Sequence, residues 1–333
     1  MICAKFTLAG TGISLPANKV SSRSLDQTLG KKPGWLEAHS GVVERYVCRS
    51  ETQEELAADA GRAALNDAKI NAADIDLLIF ASAVPKQPIP ATAPLIARLL
   101  GVPSGRVMAF DVNTTCLSFL TGLDLAATLL DAGRHQTALV LSSEIASRAL
   151  PWDTDPVTAG LFGDGAAAAV LRAPQQDKVS LLRAARFETY HEGYELCQLA
   201  AGGTGIDFHK DPERFAASSF FAMNGHELFK LTSKHFPDFV GHLLDEAGWS
   251  HGDVDLVIPH QASPIALKHL VKRCGFSSSK VVDVVSSYGN QVAASIPTVL
   301  HLARTANRLV SKSKVLLLGT SAGVSFGGLA IEI

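Results

Sequence analysis

Short runs of apolar residues, each bounded by polar turns, alternate along the 333-residue chain with longer stretches of small and apolar residues. A run such as LLIF in AADIDLLIFAS (72–82) is typical of a strand that is buried on both faces. A stretch such as LSFLTGLDLAATLLDAG (117–133) is long enough to form a helix. Strands that alternate with helices in this way predict an α/β fold.

The same pattern occurs twice along the chain. Three segments recur in the same order and at a nearly constant offset, each with a polar turn, an apolar strand and a polar exit. The pairs are AADIDLLIFAS (72–82) with HGDVDLVIPHQ (251–261), RVMAFDVNTTC (106–116) with KVVDVVSSYGN (280–290), and TALVLSSEIAS (137–147) with KVLLLGTSAGVS (314–325). We predict a duplicated α/β unit with an N-terminal half, residues 1–172, and a C-terminal half, residues 173–333.

The repeat brings three chemically useful side chains to one edge of the predicted sheet. Parallel strands that feed helices place their turns at the carboxyl edge, where α/β folds bind ligands. The second pair aligns Cys116 with Asn290, and the first pair places His260 at a neighbouring strand end. Taken singly, each fits a structural role as a buried thiol, a core histidine or a turn asparagine. Together they predict a site whose thiol has a pKa lowered by a helix start and an imidazole.

Composition excludes several other classes of function. The chain has 30 Lys and Arg against 32 Asp and Glu, and no basic run, which argues against nucleic-acid binding. No apolar run approaches the roughly 18 residues of a membrane span, and the N-terminal segment predicts a first strand, not a signal peptide. The five cysteines are scattered without a C-x-x-C pair, so we expect neither disulfides nor a metal site and place the protein in the cytoplasm.

Four motifs resemble the β-ketoacyl-acyl-carrier-protein synthase III group of the thiolase superfamily. They are NTTCLSF around Cys116, IPHQAS around His260, YGNQVAASIP around Asn290, and FGDGAAAAVL, and the similarity runs from GTGISLP to the final AGVSFGGLAIEI. The resemblance implies a thiolase-like duplicated five-layered αβαβα fold, a homodimer, and thioesters of coenzyme A or acyl carrier protein as substrates, without a further cofactor.

The resemblance also implies a mechanism, in fatty-acid or secondary-metabolite biosynthesis. Cys116 accepts the acyl group of one thioester, a malonyl thioester then loses carbon dioxide, and the resulting enolate attacks the acyl-cysteine. His260 and Asn290 are implied as hydrogen-bond donors to the enolate oxygen. The backbone N–H groups of Cys116 and Gly323 are implied as the oxyanion donors of acyl transfer.

Substrate delivery departs from the family pattern. Trp35, which helps to clasp coenzyme A in this family, is present, but His39 stands where an arginine usually follows it. Ser263 replaces a usual Asn, Ile265 replaces an arginine that contacts the carrier, and the segment TDPVTAGLFGDG lacks its arginine. Since arginine binds phosphate through paired hydrogen bonds, we expect delivery on a carrier protein at least as readily as from coenzyme A.

Two residues are candidates for the acyl pocket. Ile89 stands before Pro90, where a bulky aromatic residue of the partner subunit often closes the pocket in this family. Since Ile is smaller than Phe, we expect acyl groups longer than acetyl. Leu117 stands where a small residue usually follows the cysteine, and it is expected to narrow the entrance.

Other functions remain open or are rejected on specific grounds. An acyltransferase that acts on an alcohol or amine without decarboxylation remains open, and so does a non-catalytic partner subunit. The segment GTSAG (319–323) matches a serine-hydrolase elbow, but neither a helix nor a histidine follows Ser321. FGDGAAAAV (162–170) lacks the lysine of a phosphate loop and is expected to form a structural turn around Asp164.

Overall fold

The computed structural model describes residues 3–175 and 179–333 of the chain, which form alternating strands and helices. The strands are β1 (Ala4–Ser14), β2 (Lys19–Ser21), β3 (Glu44–Tyr46), β4 (Leu77–Ala81), β5 (Met108–Val112), β6 (Thr137–Glu144), β7 (Gly165–Arg172), β8 (Ser180–Thr189), β9 (Cys197–Gln198), β10 (Ala222–Met223), β11 (Leu256–Pro259), β12 (Lys314–Ser321) and β13 (Ser325–Glu332). The helices are α1 (Ser22–Thr28), α2 (Trp35–Ser40), α3 (Gln53–Ala68), α4 (Ala93–Leu100), α5 (Ser118–Asp131), α6 (Pro156–Ala159), α7 (Pro212–Ala217), α8 (Gly225–Ala247), α9 (Pro264–Arg273), α10 (Val285–Tyr288) and α11 (Ser295–Thr305). The predicted α/β class is confirmed.

The main sheet has the same strand order in its two parts. Its nine strands run β11-β12-β13-β8-β1-β7-β6-β4-β5, and β1 joins β8 through residues 4–6 and 180–182. From either edge inward, a parallel pair (β4–β6 or β11–β12) is followed by two antiparallel neighbours. This repeated order supports the proposed division of the chain into halves.

The layers follow from which strand faces are buried. β4, β6 and β7 are buried almost throughout, because helices cover both of their faces. α5 and α11 lie in a middle layer and share a core with strands of both parts of the sheet. α3 and α4 cover the outer face of the N-terminal strands, and α8 and α9 cover that of the C-terminal strands. The implied five-layered αβαβα arrangement is therefore present.

The second predicted repeat pair is only partly regular. β5 pairs in parallel with β4, but its counterpart in the C-terminal part is reduced to an isolated bridge between Val281 and Val257. The short helix α10 follows this bridge and has no equivalent after β5. This extra helical turn shifts the alignment at the end of the second pair, whereas the third pair keeps its predicted register, with β6 ending at Glu144 and β12 at Ser321. In the described residues, no helix is both long and apolar enough to cross a membrane.

A close approach between β1 and α3 depends on two glycines. A Cβ atom at Gly12 would lie 2.5 Å from the carbonyl oxygen of Ala60, and one at Gly10 would lie 2.5 Å from that of Ala64. The surface of α3 that faces these glycines is built from alanines, whose small side chains allow the helix to lie close to the strand. Because the obstructing atoms belong to the backbone, no side-chain rotation relieves the clash.

We therefore expect Gly12→Ala to lower the free energy of unfolding by about 1–3 kcal/mol, the usual cost of overpacking. The matched control is Gly241→Ala in α8, where a Cβ atom meets nothing within 4 Å. That control should raise stability by about 0.5–1 kcal/mol, because alanine favours a helix over glycine. Urea unfolding measures both, and equal stability of the two variants would contradict the proposed contact.

Candidate active site

Cys116, His260 and Asn290 line the same cavity, whose volume is about 1300 Å³. The cavity lies where the ends of β4, β6, β11 and β12 meet the starts of α5 and α11. The structure thus brings together the thiol, the imidazole and the carboxamide predicted to converge. Their chemical roles remain predictions.

The turn that carries Cys116 is held by Asn113. Its Oδ1 accepts a hydrogen bond from the N–H of Thr115 at 2.9 Å, and its Nδ2 donates to the carbonyl of Ala83 at 2.8 Å. The hydroxyl of Ser118 accepts a hydrogen bond from the backbone N–H of Thr114 at 2.9 Å. Thr115 has φ of 54°, an unfavourable value for a β-branched residue. The carboxamide and the start of α5 therefore fix an otherwise strained turn.

The turn that carries Asn290 has the same hydrogen bonds. Oδ1 of Asn290 accepts from the N–H of Val292 at 2.8 Å, and Nδ2 donates to the carbonyl of Ala262 at 3.3 Å. The hydroxyl of Ser295 accepts a hydrogen bond from the backbone N–H of Gln291 at 3.1 Å. Val292 has φ of 49°. Each half of the chain thus builds the same asparagine turn between a strand end and a helix.

The matching bonds correct the alignment of the repeat. Asn290 corresponds to Asn113, and Cys116 corresponds to Ala293, so the predicted pairing of Cys116 with Asn290 is wrong by three residues. The cause is α10, the helical turn inserted before Asn290. Asn113 also lines the cavity and was missed. The sequence does contain the information: when the inserted turn is left out of the alignment, NTTC (113–116) aligns with NQVA (290–293), and both segments begin with asparagine.

His260 is buried directly after β11. Its backbone N–H donates a hydrogen bond to the carbonyl of Leu318 at 2.7 Å, which fixes the residue against β12. Burial lowers the pKa of His260 to about 4. The imidazole is therefore neutral near pH 7, and it carries one N–H donor and one acceptor nitrogen into the site.

The Cys116 thiol is protonated at rest. Burial raises its pKa above the ordinary range, as do the neighbouring Cys197 and Glu144 to a lesser extent. The backbone N–H groups of Ala322 and of Cys116 itself oppose this rise but do not overcome it. The predicted lowering of this pKa by the helix start and His260 is wrong, because His260 is neutral and desolvation of the thiolate dominates.

The amide that faces the thiol belongs to Ala322. Ala322 lines the cavity next to Cys116, whereas the following Gly323, with φ of 76°, forms the turn between β12 and β13. The backbone N–H beside the thiol is therefore that of Ala322, one residue before Gly323, and the oxyanion donor stays a prediction. Sequence alone does not distinguish the two, since either amide of this turn has the required hydrogen.

Glu144 is a second residue that sequence analysis missed. It ends β6 as Ser321 ends β12, and it lies buried on the cavity wall. Oε1 accepts from the N–H of Ala83 at 2.6 Å, and the backbone N–H groups of Val84 and Ala293 also stabilise the carboxylate. Burial nevertheless raises the pKa of Glu144 to about 8. The sequence feature that could have indicated Glu144 is an acidic residue at the end of the buried run TALVLSSE.

Of the predicted substrate-binding residues Ser263 and Leu117, only Ser263 lines the cavity. Ser263 lines it and caps α9, since its hydroxyl accepts from the N–H of Ala266 at 3.2 Å. Leu117 is instead buried in the central core, where it packs against Gly319 and Gly327. The expectation that Leu117 narrows the entrance is wrong, because its side chain points away from the cavity.

Trp35 and Ile89 are not among the residues that line the cavity. The Trp35 ring stacks on His39, with 4.4 Å between centroids, and the Lys31 ammonium lies 5.0 Å from the Trp35 ring. Ile89 is 86% exposed on the loop between β4 and α4. A single chain therefore leaves the side chain of Ile89 largely exposed, and its place in a partner's acyl pocket stays a prediction.

The two rejected motifs have structural roles. Asp164 accepts hydrogen bonds from the N–H of Cys48 and from the N–H and hydroxyl of Ser147, which closes the FGDG turn. Ser321 leads into the β12–β13 hairpin, not into a helix. Across residues 3–175 and 179–333, no cluster of His, Cys, Asp or Glu has the composition of a metal site.

Two family models match the chain. The model described as 3-oxoacyl-[acyl-carrier-protein] synthase III matches residues 110–188, and the model of the C-terminal part of the same enzyme matches residues 244–333. The first range contains Cys116, and the second contains His260 and Asn290.

Curated relatives and solved structures agree with these models. The β-ketoacyl-[acyl-carrier-protein] synthase III of Neisseria gonorrhoeae is 33% identical and covers 98% of each chain. A synthase III of Streptomyces coelicolor is 34% identical over 97% of this chain and 96% of the relative. The crystal structure of the Aquifex aeolicus enzyme has a TM-score of 0.88 at 30% identity, covering 98% of this chain and 100% of that one. A variant of OleA from Xanthomonas campestris has a TM-score of 0.86 at 25% identity over both full chains.

We expect Cys116 to react with iodoacetamide more slowly at pH 7 than the exposed Cys3. Because burial raises the pKa of Cys116, its thiolate fraction and labelling rate should rise about tenfold per pH unit from pH 7 to 9. Peptide mapping by mass spectrometry gives the rates, and Cys116→Ser identifies the signal. The expectation would be contradicted if Cys116 were labelled faster than Cys3 at pH 7 and if its labelling rate did not change between pH 7 and 9, because this would show that the thiol is ionised.

Proposed function

Since this chain belongs to the 3-oxoacyl-[acyl-carrier-protein] synthase III family, we propose that it condenses an acyl thioester with a malonyl thioester through an acyl group on Cys116. Enzymes named for this activity are acyltransferases, and so is this chain. The observation that carries the proposal is the placement of Cys116, His260 and Asn290 on the wall of one cavity.

In the loading step, the sulfur of Cys116 attacks the carbonyl carbon of the acyl thioester. A C–S bond to Cys116 forms, the bond to the original sulfur breaks, and the thiol proton ends on the departing thiol. The negative oxygen of the tetrahedral intermediate accepts from the backbone N–H groups of Cys116 and Ala322, which already face the sulfur. Neutral His260, on the wall of the same cavity, has an acceptor nitrogen that can relay the proton.

In the condensation step, the malonyl thioester loses carbon dioxide and leaves an enolate. Neutral His260 donates its N–H to the enolate oxygen, as does the Nδ2 hydrogen of Asn290 that Ala262 does not bind. The N–H of Val292 holds Oδ1 and so orients the amide. The enolate carbon then attacks the acyl carbonyl, the C–S bond to Cys116 breaks, and the thiolate takes up a proton.

We propose a homodimer and carrier-protein delivery. β5 is an edge strand of the main sheet, and Met108 on it and Ile89 nearby are exposed apolar side chains of the kind that a partner covers. The helix α9 carries exposed Ile265, which lines the cavity, in its first turn, and Lys272 and Arg273, which do not line it, in its last turn. Basic residues suit an acidic carrier, whereas Ile265 offers nothing to a phosphate.

The paired asparagines separate the two half-reactions. We expect Asn290→Ala to leave acyl loading of Cys116 nearly unchanged and to slow malonyl decarboxylation roughly 10²-fold, the effect of one lost oxyanion donor. The matched variant Asn113→Ala removes the same bonds from the Cys116 turn and should slow loading instead. Mass spectrometry of the acyl-enzyme and carbon dioxide release measure the two steps.

The outcomes decide between the proposed function and its alternatives. Equal loss in both steps for Asn290→Ala would make Asn290 a structural residue. Acyl transfer to an alcohol or amine, without decarboxylation by the unmutated chain, would favour the simple acyltransferase. Absence of any acyl group on Cys116, tested with a panel of thioesters, would favour a non-catalytic subunit.

We also expect Cys116 to be loaded more efficiently from an acyl carrier protein than from the coenzyme A thioester of the same acyl group. Ile265→Arg should lower KM for the coenzyme A thioester about three- to tenfold, since an exposed arginine adds a modest charged hydrogen bond to phosphate. Ile265→Gln is the control of similar length without charge. Initial rates of loading check this, and a preference of the unmutated chain for coenzyme A would contradict it.

A further inference from the structure

The cavity continues well beyond Cys116, into the space between α8, α9 and the strands β11 and β12. We call this part the α8–α9 chamber. Both helices and the sheet contribute side chains to its wall. The residues that define it are Leu228, Phe236, Leu267, Val271, Cys274 and Leu318.

The chamber wall is apolar and largely buried. Phe236, Cys274 and Leu318 belong to the outer core on the C-terminal side of the sheet, and Leu228 and Val271 pack against that core. Burial raises the pKa of Cys274 to about 12, so its thiol is neutral and behaves as a small apolar group. A void among such side chains leaves their apolar surface without van der Waals contacts, and a hydrocarbon ligand in the chamber would supply those contacts.

Another part of the cavity wall is polar and exposed. Lys86, Arg148 and His226 are exposed residues that line it, and each carries a charged or titratable group. A pantetheine arm contains amides that need hydrogen-bond partners, so it fits this polar part better than the chamber. Cys116 and His260 line the same cavity. The polarity of the wall therefore favours the α8–α9 chamber for the hydrocarbon chain of an acyl thioester and the charged part for its polar arm.

We propose that the α8–α9 chamber binds the hydrocarbon chain of a medium or long acyl group whose carbonyl carbon is attached to Cys116. This inference rests on the proposed function and specifies its donor substrate. It also places the chain away from Ile89, which is exposed and lies outside the cavity of a single chain.

Filling the chamber tests this assignment. Val271→Phe adds a ring from α9, and Leu228→Phe adds one from α8 on the opposite wall. Lys268→Phe is the matched control, since Lys268 is exposed on α9 and does not line the cavity. Loading of Cys116 is followed by mass spectrometry with acetyl, octanoyl and dodecanoyl thioesters on one carrier.

We expect the unmutated chain and Lys268→Phe to be loaded faster with dodecanoyl than with acetyl. In Val271→Phe and Leu228→Phe, the ratio of dodecanoyl to acetyl loading should fall roughly tenfold or more, the effect of removing about two methylene groups from an apolar site. Acetyl loading in the same variants should persist, which shows that the fold and the nucleophile are intact.

Three results would overturn the assignment. The first is an unchanged chain-length profile in both filled variants that still accept acetyl. The second is a shift of the profile by Ile89→Phe and not by the chamber variants, which would place the chain against the partner subunit. The third is acetyl loading with no loading of longer chains in the unmutated protein. Failure of every thioester to load would instead refute the proposed function itself.

Discussion

Each half of the molecule depends on one asparagine side chain that joins a strand end to a helix start. Asn113 and Asn290 each donate to the carbonyl beyond a parallel strand and accept from an amide two residues ahead. That amide belongs to Thr115 or Val292, both of them β-branched residues with positive φ. Such backbone strain costs about 1–3 kcal/mol and persists only where the surroundings fix it. The carboxamides supply that constraint, and the cavity is built around the two turns.

The two turns share a backbone but differ in what they offer to a substrate. The first presents Cys116, with the amide of Ala322 beside it. In the second, Ala293 stands at the corresponding position, and its amide is paired with the carboxylate of Glu144, the residue that matches Ser321. A buried acid has thus taken the place that an oxyanion would occupy. The duplicated fold therefore presents a thiol at only one of the two turns, and in the proposed function the second turn orients Asn290.

Sequence reasoning recovers what periodicity and motifs encode, and it fails where geometry decides. Buried runs predicted the α/β class and the repeat, and the motifs around Cys116 and His260 indicated the family that the comparisons confirm. The register of the repeat was missed because one helical turn, α10, breaks it without changing the composition. Leu117 was misplaced because the side of a turn to which a side chain points depends on φ. Burial of the Cys116 thiol depends on the packed cavity, so no local motif reveals it.

Burial sets the electrostatic character of the whole site. Removing a thiol and an imidazole from water penalises their charged forms, so the pKa of Cys116 rises and that of His260 falls. The resting pair is thus neutral, and in the proposed mechanism charge develops only when the carbonyl of a thioester lies beside the backbone N–H groups of Cys116 and Ala322. In a low-dielectric cavity those fixed dipoles interact more strongly with an oxyanion than they would in water. In the proposed mechanism, the apolar wall that suppresses the thiolate at rest would therefore also strengthen the hydrogen bonds to the oxyanion.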